Sequence, residues 1–410
     1  MVHVGIDWSD ESHSFCILDD AGAKLDAFEI SHGLDGFETA HKRISKRASS
    51  PEDVRVAIET KDSLIVDFFL EMGYSLHFLN PKQTDRFRDR HRMSSSRSDG
   101  FDAYVLADAV RTDPHLFNAL SPLDEKSLAL RVLTRTREGL VQRKVAISNE
   151  LSSALKRYFP LALELFSGLD SPEAVSFLSQ YPTYHEARTV SESRIQSILR
   201  KQGFSDKTAA RRASIIRAKL NSPQPTPAAS VACAYPIAVK SLLRQMHSIL
   251  GELDAIEGEI RDNYKDHPNK QLLESLPGIA STLGPVLAAE LGSDITRFSD
   301  VKTLKAFAGS SPVTERSGKY CEIRYRRACN WRVRQALHLA SRTAIVCCPW
   351  ARELYDRLRS EGKSYGRALR AVANQLVEML YVILLSRTPY CEAYHLQMKS
   401  IHSRKTPVLT

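Results

Sequence analysis

Four carboxylates, Asp7, Glu59, Asp99 and Asp102, are the residues of this sequence whose types and spacing could carry out chemistry. The first two each lie within or at the end of a short apolar β-type run, and the last two lie three residues apart where a helix should begin. Carboxylate oxygens are ligands that Mg²⁺ prefers, and two divalent ions can activate the attacking oxygen and stabilise the leaving oxygen of a phosphodiester. These four side chains, called the tetrad below, therefore predict work on DNA or RNA, with Mg²⁺ as the cofactor and Mn²⁺ as its substitute.

The elements that must position the tetrad lie in the first 110 residues, which read as alternating strands and helices. Three strands followed by helix, strand, helix, strand and helix is the order of an α/β ribonuclease-H-like fold. In that topology Asp7 on the first strand lies beside Glu59 at the end of the fourth. A helix from Asp99 then places Asp102 on the same face one turn later. The predicted strands are 3–9, 13–19, 25–31, 54–59 and 74–80.

The rest of the chain is predicted to be mainly helical, with a long helix over 127–158 and another over about 237–264. Apolar residues recur in the first of these helices at spacings of three and four, which indicates a helix that packs on a partner. We expect the two to pair as an antiparallel coiled-coil arm, with a linker near 221–230. The predicted domains are a catalytic domain at 1–118, a helical arm region with an inserted helical segment at 119–268, a mainly α C-terminal domain at 269–395 and a tail at 396–410.

The net charge of the chain is +9, from 57 Lys and Arg against 48 Asp and Glu. The stretch 302–342 holds ten of the basic residues and only two glutamates, and clustered positive charge indicates a nucleic-acid partner more than its total does. Seven cysteines without CxxC pairing argue against a disulfide framework or a zinc finger and fit a reducing cytoplasm. The late apolar run 376–385 is shorter than the about 20 residues of a membrane span, so we expect a buried helix and no membrane partner.

Five arginines precede Asp99 in a segment that also contains Phe87. They read either as a solvated loop or as a contact that guides a nucleic-acid strand. Their place directly before the tetrad residues favours the contact. These arginines are Arg86, Arg88, Arg90, Arg92 and Arg97.

A second constellation begins with the segment LESLPGIASTLGPVLAAELG at 273–292, which is similar to a helix-hairpin-helix element. In such an element the turn directs backbone amides and the N-terminus of the second helix towards a phosphate. The second glycine that is usual in the turn is Ala280 here. Two core helices joined by a Pro-Gly turn explain the segment equally well.

Ser317 follows in a predicted loop, with Gly318 after it and basic residues on both sides. A serine hydroxyl becomes a nucleophile when a base, a metal ion or a field of cations activates it, and arginines stabilise the charge of a phosphate transition state. Taken alone, a Ser-Gly pair in a loop is a turn far more often than a nucleophile. The basic residues predicted to bind nucleic acid here are Arg316, Lys319, Arg324, Arg326, Arg327, Arg332 and Arg334.

The ordered set of these segments resembles the DEDD-type insertion-sequence transposases, a family of bridge-RNA-guided recombinases. In the first half the matching segments are GIDWS with Asp7, VAIET with Glu59, LNP, and RSDGFDAYVLAD with Asp99 and Asp102. In the second half they are LPGIASTLGPVLAAELG, FAGSSP, RSG with Ser317, and GKSYGRALRAVANQLVEMLYVIL. Each segment alone is weak, but their order is specific and the resemblance covers nearly the whole chain.

The resemblance implies an N-terminal domain like the Holliday-junction resolvases, a coiled-coil arm and a C-terminal transposase domain that carries the serine. It implies that the tetrad binds Mg²⁺ and that Ser317 attacks DNA to form a covalent phosphoserine intermediate. The implied partners are donor and target double-stranded DNA and a structured guide RNA, the bridge RNA, that pairs with both. The implied assembly is a homodimer that forms a homotetramer at the nucleoid of the prokaryotic cytoplasm, where one subunit's tetrad meets another's serine.

Three other classes of protein share parts of this pattern. A structure-specific Holliday-junction-type endonuclease would use the tetrad with water as the nucleophile, but it has no use for Ser317 or for the long C-terminal domain. Sugar kinases and actin-like ATPases share a strand like the one that holds Asp7, but they need a glycine-rich phosphate loop, which this sequence lacks. A non-enzymatic nucleic-acid-binding protein would gain nothing from four carboxylates, which repel phosphate unless metal ions are bound.

Overall fold

In a computed structural model the protein is described over residues 1–61, 63–91, 98–117, 119–120, 123–318, 320–393 and 396–397. The chain divides into two compact units, Met1–Pro122 and Leu123–Thr410. The first contains a mixed α/β sheet and the second is mostly helical, as the sequence predicts. The finer division into a catalytic domain, an arm region and a C-terminal domain stays a prediction.

The first unit is built on a five-stranded sheet. Its strands are β1 (Val2–Trp8), β2 (Ser12–Leu18), β3 (Lys24–Ser31), β4 (Val54–Ile58) and β5 (Ser75–Phe78). Their order in the sheet is β3-β2-β1-β4-β5. Strands β1 to β3 form an antiparallel meander, whereas β4 is parallel to β1 and β5 is parallel to β4. The predicted antiparallel meander is confirmed, and the sheet is compatible with a ribonuclease-H-like fold.

Among the described residues of this unit, four α-helices cover the two faces of the sheet. They are α1 (Leu34–Ser45), α2 (Leu64–Glu71), α3 (Pro81–His91) and α4 (Asp99–Thr112). Because successive side chains of a strand point to opposite faces, Val4 and Ile6 of β1 pack with the apolar sides of α1 and α2. On the other face, Cys16 and Leu18 of β2 pack with α4. Burial on both faces explains why these strands are nearly continuous apolar runs.

Helix α4 touches the sheet at Gly5, and this close approach positions two members of the tetrad. A Cβ atom on Gly5 would lie 1.9 Å from the carbonyl oxygen of Ala103 and 2.5 Å from the amide nitrogen of Ala107. Only a residue without a side chain lets the helix backbone come this near. Gly5 and Asp7 are two residues apart on β1 and share a face, so α4 covers the face from which Asp7 projects.

We expect Gly5→Ala to destabilise the first unit by about 3 kcal/mol, since the added methyl group overlaps backbone atoms that cannot rotate away. The matched control is Gly100→Ala in the first turn of α4, where a Cβ meets nothing within 4 Å. That change should stabilise the helix by about 0.5–1 kcal/mol. Urea denaturation of both variants and of the parent chain measures the difference. Equal stabilities of the two variants would mean that α4 is not held this closely against β1.

Helix α3 is not among the helices predicted from the sequence, whose order goes directly from the strand at 74–80 to the helix that begins at Asp99. Its start has a reciprocal cap: the amide of Gln83 donates to Asn80 Oδ1 at 3.0 Å, and the amide of Asn80 donates to Gln83 Oε1 at 3.2 Å. Pro81 follows Asn80 in the first helical position, where its missing N–H costs nothing. An Asn-Pro-x-Gln spacing resembles a capping box. The sequence therefore contained a signal for the start of this helix. The helix itself was missed because its mostly charged residues show no apolar periodicity.

The second unit contains the remaining helices and, among its described residues, one two-stranded hairpin. The helices are α5 (Glu125–Tyr158), α6 (Ala162–Leu165), α7 (Pro172–Gln180), α8 (Tyr184–Thr189), α9 (Glu192–Lys201), α10 (Asp206–Leu220), α11 (Ala229–Lys265), α12 (Lys270–Ser275), α13 (Leu283–Leu291), α14 (Val301–Phe307), α15 (Trp331–Cys347), α16 (Pro349–Ser360) and α17 (Tyr365–Ser386). The hairpin strands are β6 (Val313–Ser317) and β7 (Tyr320–Arg324). The sequence predicted no strand here, because both strands are short, mainly polar and largely exposed.

Helices α5 and α11 pack side by side in opposite directions. Lys126 Nζ, near the start of α5, donates to the carbonyl oxygen of Asp266 just after α11 at 2.9 Å. Further along, Arg137 Nε donates to Glu257 Oε1 at 2.7 Å. This is the antiparallel pairing that the sequence predicts. Helix α11 begins earlier than predicted and runs through Pro236.

Two hydrophobic cores lie along this helix pair. One joins the second half of α5 and the first half of α11 with α7, α9 and α10, and its buried members include Leu151, Phe177 and Met246. The other joins the start of α5 and the end of α11 with α12 to α17, and its buried members include Leu273 and Leu376. Helices α5 and α11 are therefore shared by both cores of the unit.

Helix α17 contains the apolar run that the sequence predicts to be a buried helix. By length and composition it could cross a membrane, and it is the only such helix among the described residues. More than half of its most apolar stretch is buried inside the unit, however. Val372, Leu376 and Leu380 are fully buried in the core that α17 shares with α15. The helix is 22 residues long, so the ten-residue run underestimates it, but the prediction of a buried helix is confirmed.

Candidate catalytic sites

The tetrad gathers at one edge of the sheet in the first unit. Asp7 is next to last in β1, and Glu59 directly follows β4. These two strands are parallel neighbours, so both carboxylates leave the sheet at the same end. Asp99 and Asp102 lie in the first turn of α4, which Gly5 allows to lie against β1. All four carboxylates thus lie at this end of the sheet, and their shared role stays a prediction.

The charges of the four carboxylates act on one another. Burial raises the pKa of Asp7 to about 7 together with the negative charges of its three tetrad partners, of which Asp102 acts most strongly. The cation of Arg88 opposes this rise. Both partial burial and nearby negative charges disfavour the ionised carboxylate, and this raises its pKa.

Arg88 of α3 reaches into the tetrad. Its Nε donates to Asp102 Oδ1 at 2.8 Å, and its Nη1 also contacts Asp85. The side chains of Arg88 and Asp102 are only 14% and 16% exposed. The sequence predicts that Arg88 binds nucleic acid, but in this structure carboxylates occupy its guanidinium.

The donor chemistry of the tetrad fits a divalent cation. All four side chains end in carboxylates, which are hard oxygen ligands, and a cation would offset the repulsion that raises the pKa of Asp7. As placed here, no group of three or more His, Cys, Asp or Glu among the described residues is close enough to hold one metal ion. In this arrangement the four carboxylates therefore supply suitable ligands but do not form a closed metal site.

The raised pKa of Asp7 predicts how stability depends on pH in the presence of a chelator. Between about pH 4 and pH 7 the folded chain holds a proton on Asp7 that the unfolded chain has released. The free energy of unfolding therefore decreases as the pH rises through this range and is lowest above pH 7. We expect Asp7→Asn to be more stable than the parent at pH 8 by about 1 kcal/mol after solvent screening, and by only about a third of that at pH 5, where most of the difference has not yet developed. Thermal unfolding measures the difference, with exposed Asp10→Asn as the control. An equal effect of Asp7→Asn at both pH values would contradict the raised pKa.

Ser317 lies in the second unit as the last residue of β6, with its side chain exposed. It pairs with Tyr320 across the hairpin, so the connection between the strands is two residues long. Gly318, the first of these, has a φ of +56°, which is the left-handed conformation that two-residue hairpin turns favour. The sequence places Ser317 in a loop, whereas the structure places it beside a hairpin turn where its hydroxyl is accessible.

Arginines and a tyrosine hold the base of this hairpin. Arg326 Nε donates to the carbonyl oxygen of Ser311 at 3.3 Å, and Arg334 Nη1 donates to the carbonyl oxygen of Arg326 at 3.4 Å. The guanidinium groups of Arg334 and Arg370 each lie 5.0 Å from the ring centroid of Tyr325. Such cation–π contacts join the end of β7 to α15 and α17.

Part of this basic region was not predicted from the sequence. Burial and the cations of Arg342 and Arg370 lower the pKa of His338, which indicates that positive charge continues from α15 to α17. Arg334, His338 and Arg342 are spaced by four along α15, and residues at this spacing share a helix face. That spacing was a usable sequence signal, whereas the approach of Arg370 from another helix was not.

The residues predicted to bind nucleic acid differ in their surroundings. Exposed side chains include Arg86, Arg316 and Arg327. Ion pairs hold Arg90 to Asp113 at 3.2 Å, Arg324 to Glu315 at 3.0 Å and to Glu322 at 2.7 Å, and Arg332 to Glu138 at 2.7 Å. Three of the predicted residues lie outside the described residues: Arg92, Arg97 and Lys319.

The Pro-Gly turn of the predicted helix-hairpin-helix element serves packing in this structure. Gly278 has a φ of +80°, and a Cβ there would lie 2.2 Å from the carbonyl oxygen of Ala340 in α15. This contact favours the reading of α12 and α13 as core helices joined by a tight turn. Ala280, Ser281 and Thr282, which precede α13, are exposed to solvent.

A buried carboxylate positions the start of α15. Glu290 of α13 is 1% exposed and accepts hydrogen bonds from Arg135 Nε at 3.1 Å and from Asn330 Nδ2 at 2.7 Å. Asn330 also caps α15 by accepting from the amides of Arg332 and Val333, each at 3.1 Å. Loss of one partner from such a buried network is costly. Helices α5, α13 and α15 therefore form a fixed frame for the basic residues.

Comparison with known families bears on both candidate sites. Residues 4–160, which include the tetrad, match a family model for transposases of the DEDD type of IS110. Residues 270–356, which include Ser317, match a model described as transposase of the IS116/IS110/IS902 family.

Individual relatives agree with these matches. The chain is 30% identical over 398 residues to a Streptomyces coelicolor protein named for the transposase of the IS117 mini-circle, and the alignment covers 95% of each chain. It is 28% identical over 298 residues to a protein of insertion element IS110 from the same species, with 72% of each chain covered. It is also 33% identical over 201 residues to a Sinorhizobium fredii protein named for transposase y4uE, covering 48% of this chain and 56% of the relative.

Proposed function

Since the chain belongs to the IS116/IS110/IS902 family of transposases, which are DNA-recombining enzymes, we propose that it cuts and exchanges DNA strands with two sites, the tetrad and Ser317. The observation that supports this most directly is the convergence of four carboxylates at one sheet edge, where burial and mutual repulsion raise the pKa of Asp7 to about 7. Four such charges beside a polyanion are useful only with bound cations. The proposed cofactor is therefore Mg²⁺, which Mn²⁺ can replace.

When bound, the metal ions supply charge neutralisation and activation at the phosphate. Asp7, Glu59, Asp99 and Asp102 would hold them through carboxylate oxygens. Asp7 has to be ionised for this role, and its raised pKa means that it releases its proton near neutral pH. The partly buried setting keeps water from screening the charges of the site.

We infer that Ser317 is the nucleophile. Its Oγ attacks the phosphorus of one strand, and an Oγ–P bond forms as the bond from phosphorus to one deoxyribose oxygen breaks. The serine proton ends on the departing oxygen. A free deoxyribose hydroxyl of the second DNA then attacks the same phosphorus, so that a new phosphodiester bond forms as the Oγ–P bond breaks, and the proton of that hydroxyl returns to Ser317 Oγ. An exposed serine beside a hairpin turn suits this chemistry, because duplex DNA has to reach it.

The proposed partners are donor and target double-stranded DNA and an element-encoded bridge RNA that pairs with both. The basic residues around the hairpin would contact phosphates, which position a nucleic acid without reading its sequence. The proposed assembly is a homodimer that forms a homotetramer, in which the tetrad of one subunit serves the Ser317 of another.

A covalent-adduct assay tests this proposal. The purified chain, RNA transcribed from the DNA that flanks its gene, labelled donor and target duplexes and Mg²⁺ are incubated and resolved on a denaturing gel. We expect a Mg²⁺-dependent band with the mass of the protein joined to DNA. Free nicked DNA without an adduct would contradict the role of Ser317 and would favour a Holliday-junction-type endonuclease that uses the tetrad with water.

Arg316→Ala and Arg327→Ala should each weaken DNA binding and reduce its salt dependence. Each removes one proposed phosphate contact, so the slope of log affinity against log salt should fall by about one unit. Filter binding at several salt concentrations measures the slope. In contrast, Arg332 Nε is bound to Glu138 at 2.7 Å, so Arg332→Ala should lower thermal stability more than it changes the slope. Unchanged slopes for both exposed residues would remove this region from the DNA interface.

A further inference from the structure

Arg88 is a cation that the proposed metal site has to accommodate. It lies on α3 with 14% of its side chain exposed. Its Nε donates to Asp102 Oδ1 at 2.8 Å, and its Nη1 contacts Asp85 one turn earlier on the same helix. In this structure a protein cation therefore contacts the tetrad directly.

A divalent cation bound at the tetrad would compete with Arg88 for Asp102. Mg²⁺ demands near-ideal octahedral geometry, and among the described residues as placed here no three acidic side chains are close enough to share one ion. A turn of the Asp102 side chain towards the other carboxylates would break its hydrogen bond to Arg88. Because charge-assisted hydrogen bonds are about twice as strong as neutral ones, this loss opposes metal binding.

We propose, on the basis of the function proposed above, that Arg88 is a positioning residue which holds Asp102 until a divalent cation displaces it. The released guanidinium would then be free to pair with a DNA phosphate. Through this exchange the tetrad always has a positive partner, so its carboxylates stay together before metal binds. Asp85 keeps the released guanidinium close to the site, since it binds Arg88 from within α3.

Binding of Mn²⁺ to the full-length chain tests this role without any measurement of activity. Electron paramagnetic resonance follows the free ion as Mn²⁺ is added to the parent chain, to Arg88→Met and to Arg90→Met. Arg90 is the matched control, because it is an exposed arginine of the same helix whose Nη1 lies 3.2 Å from Asp113. We expect Arg88→Met to bind Mn²⁺ about ten-fold more tightly than the parent, as the loss of one competing charged hydrogen bond implies. Arg90→Met should bind within about two-fold of the parent, because salt screens its more distant charge.

The possible failures are distinguishable. Equal or weaker binding of Mn²⁺ by Arg88→Met would overturn the role of Arg88, whereas failure of the parent chain to bind Mn²⁺ would contradict the metal site itself. Thermal unfolding distinguishes the proposed role from a purely structural one. If Arg88 were only structural, the variant would lose stability that Mn²⁺ does not restore. Under the proposal, saturating Mn²⁺ brings the variant to the Tm of the metal-loaded parent.

If Arg88→Met does not fold, Arg88→Lys replaces it in the same titration. Lysine keeps the charge but loses the planar fork that bonds two carboxylates at once. We expect Arg88→Lys to bind Mn²⁺ more tightly than the parent, and affinity equal to or below that of the parent would overturn the proposal.

Discussion

Ser317→Ala should abolish both the covalent protein–DNA adduct and strand exchange in the denaturing-gel assay. Loss of a nucleophile that acts with partner groups costs on the order of 10⁶ in rate, so we expect no product above background. Binding of DNA and RNA should persist, because the change removes only one exposed hydroxyl. The backbone pairing of residue 317 with Tyr320 does not depend on that hydroxyl. Mobility-shift assays with the same duplexes measure that binding.

Thr314→Ala is the matched control for this variant. Thr314 is another exposed hydroxyl of β6, but it is three residues from Ser317 and so projects from the opposite face of the hairpin. It should keep the adduct at the parental level. Recombination by Ser317→Ala would contradict the nucleophile, and loss of the adduct in both variants would mean that the fold of the hairpin matters and not the hydroxyl.

Asp102→Asn should reduce Mg²⁺-dependent cleavage by about three orders of magnitude. A bound metal ion supplies several kcal/mol of charge stabilisation in the transition state, and each 1.36 kcal/mol corresponds to about ten-fold in rate. The fold should persist, because the amide oxygen of asparagine can still accept the hydrogen bond from Arg88. One negative charge fewer also relieves the repulsion on Asp7.

Single-turnover cleavage at fixed Mg²⁺ measures this effect, and circular dichroism checks the fold. Asp113→Asn is the control, since Asp113 is an aspartate at the other end of α4, where it pairs with Arg90. It should cleave at the parental rate. Parental activity of Asp102→Asn would exclude Asp102 from the metal site.

The places of the tetrad residues in the fold could be predicted because they follow from the strand order. Once β1 and β4 are parallel neighbours, residues at their carboxyl ends have to lie side by side, as Asp7 and Glu59 do. The helical phase of two residues three apart then places Asp99 and Asp102 together. The apolar runs predict the strands, and the spacing of three between Asp99 and Asp102 predicts that both lie on one face of a helix. Local patterns were therefore sufficient for this part of the molecule.

Other features depend on contacts between distant elements, which local patterns do not contain. The sequence gives Arg88 the same appearance as the other arginines before α4, but its position against Asp102 depends on how α3 packs on α4. In the same way, the glycine of the Pro-Gly turn suggests a phosphate-binding hairpin, while its actual neighbour is the backbone of Ala340. The strands β6 and β7 were missed because their exposed residues lack a buried face.

The pairing of Ser317 with Tyr320 ties the direction of the hydroxyl to the length of the hairpin arms. Because strand side chains alternate, one residue inserted into or deleted from β6 would turn the hydroxyl to the opposite face, whereas a change of two residues would restore it. Relatives that keep this serine should therefore vary the length of the hairpin in steps of two. Selection would then preserve whether the number of residues in each hairpin strand is odd or even as strictly as it preserves the serine itself.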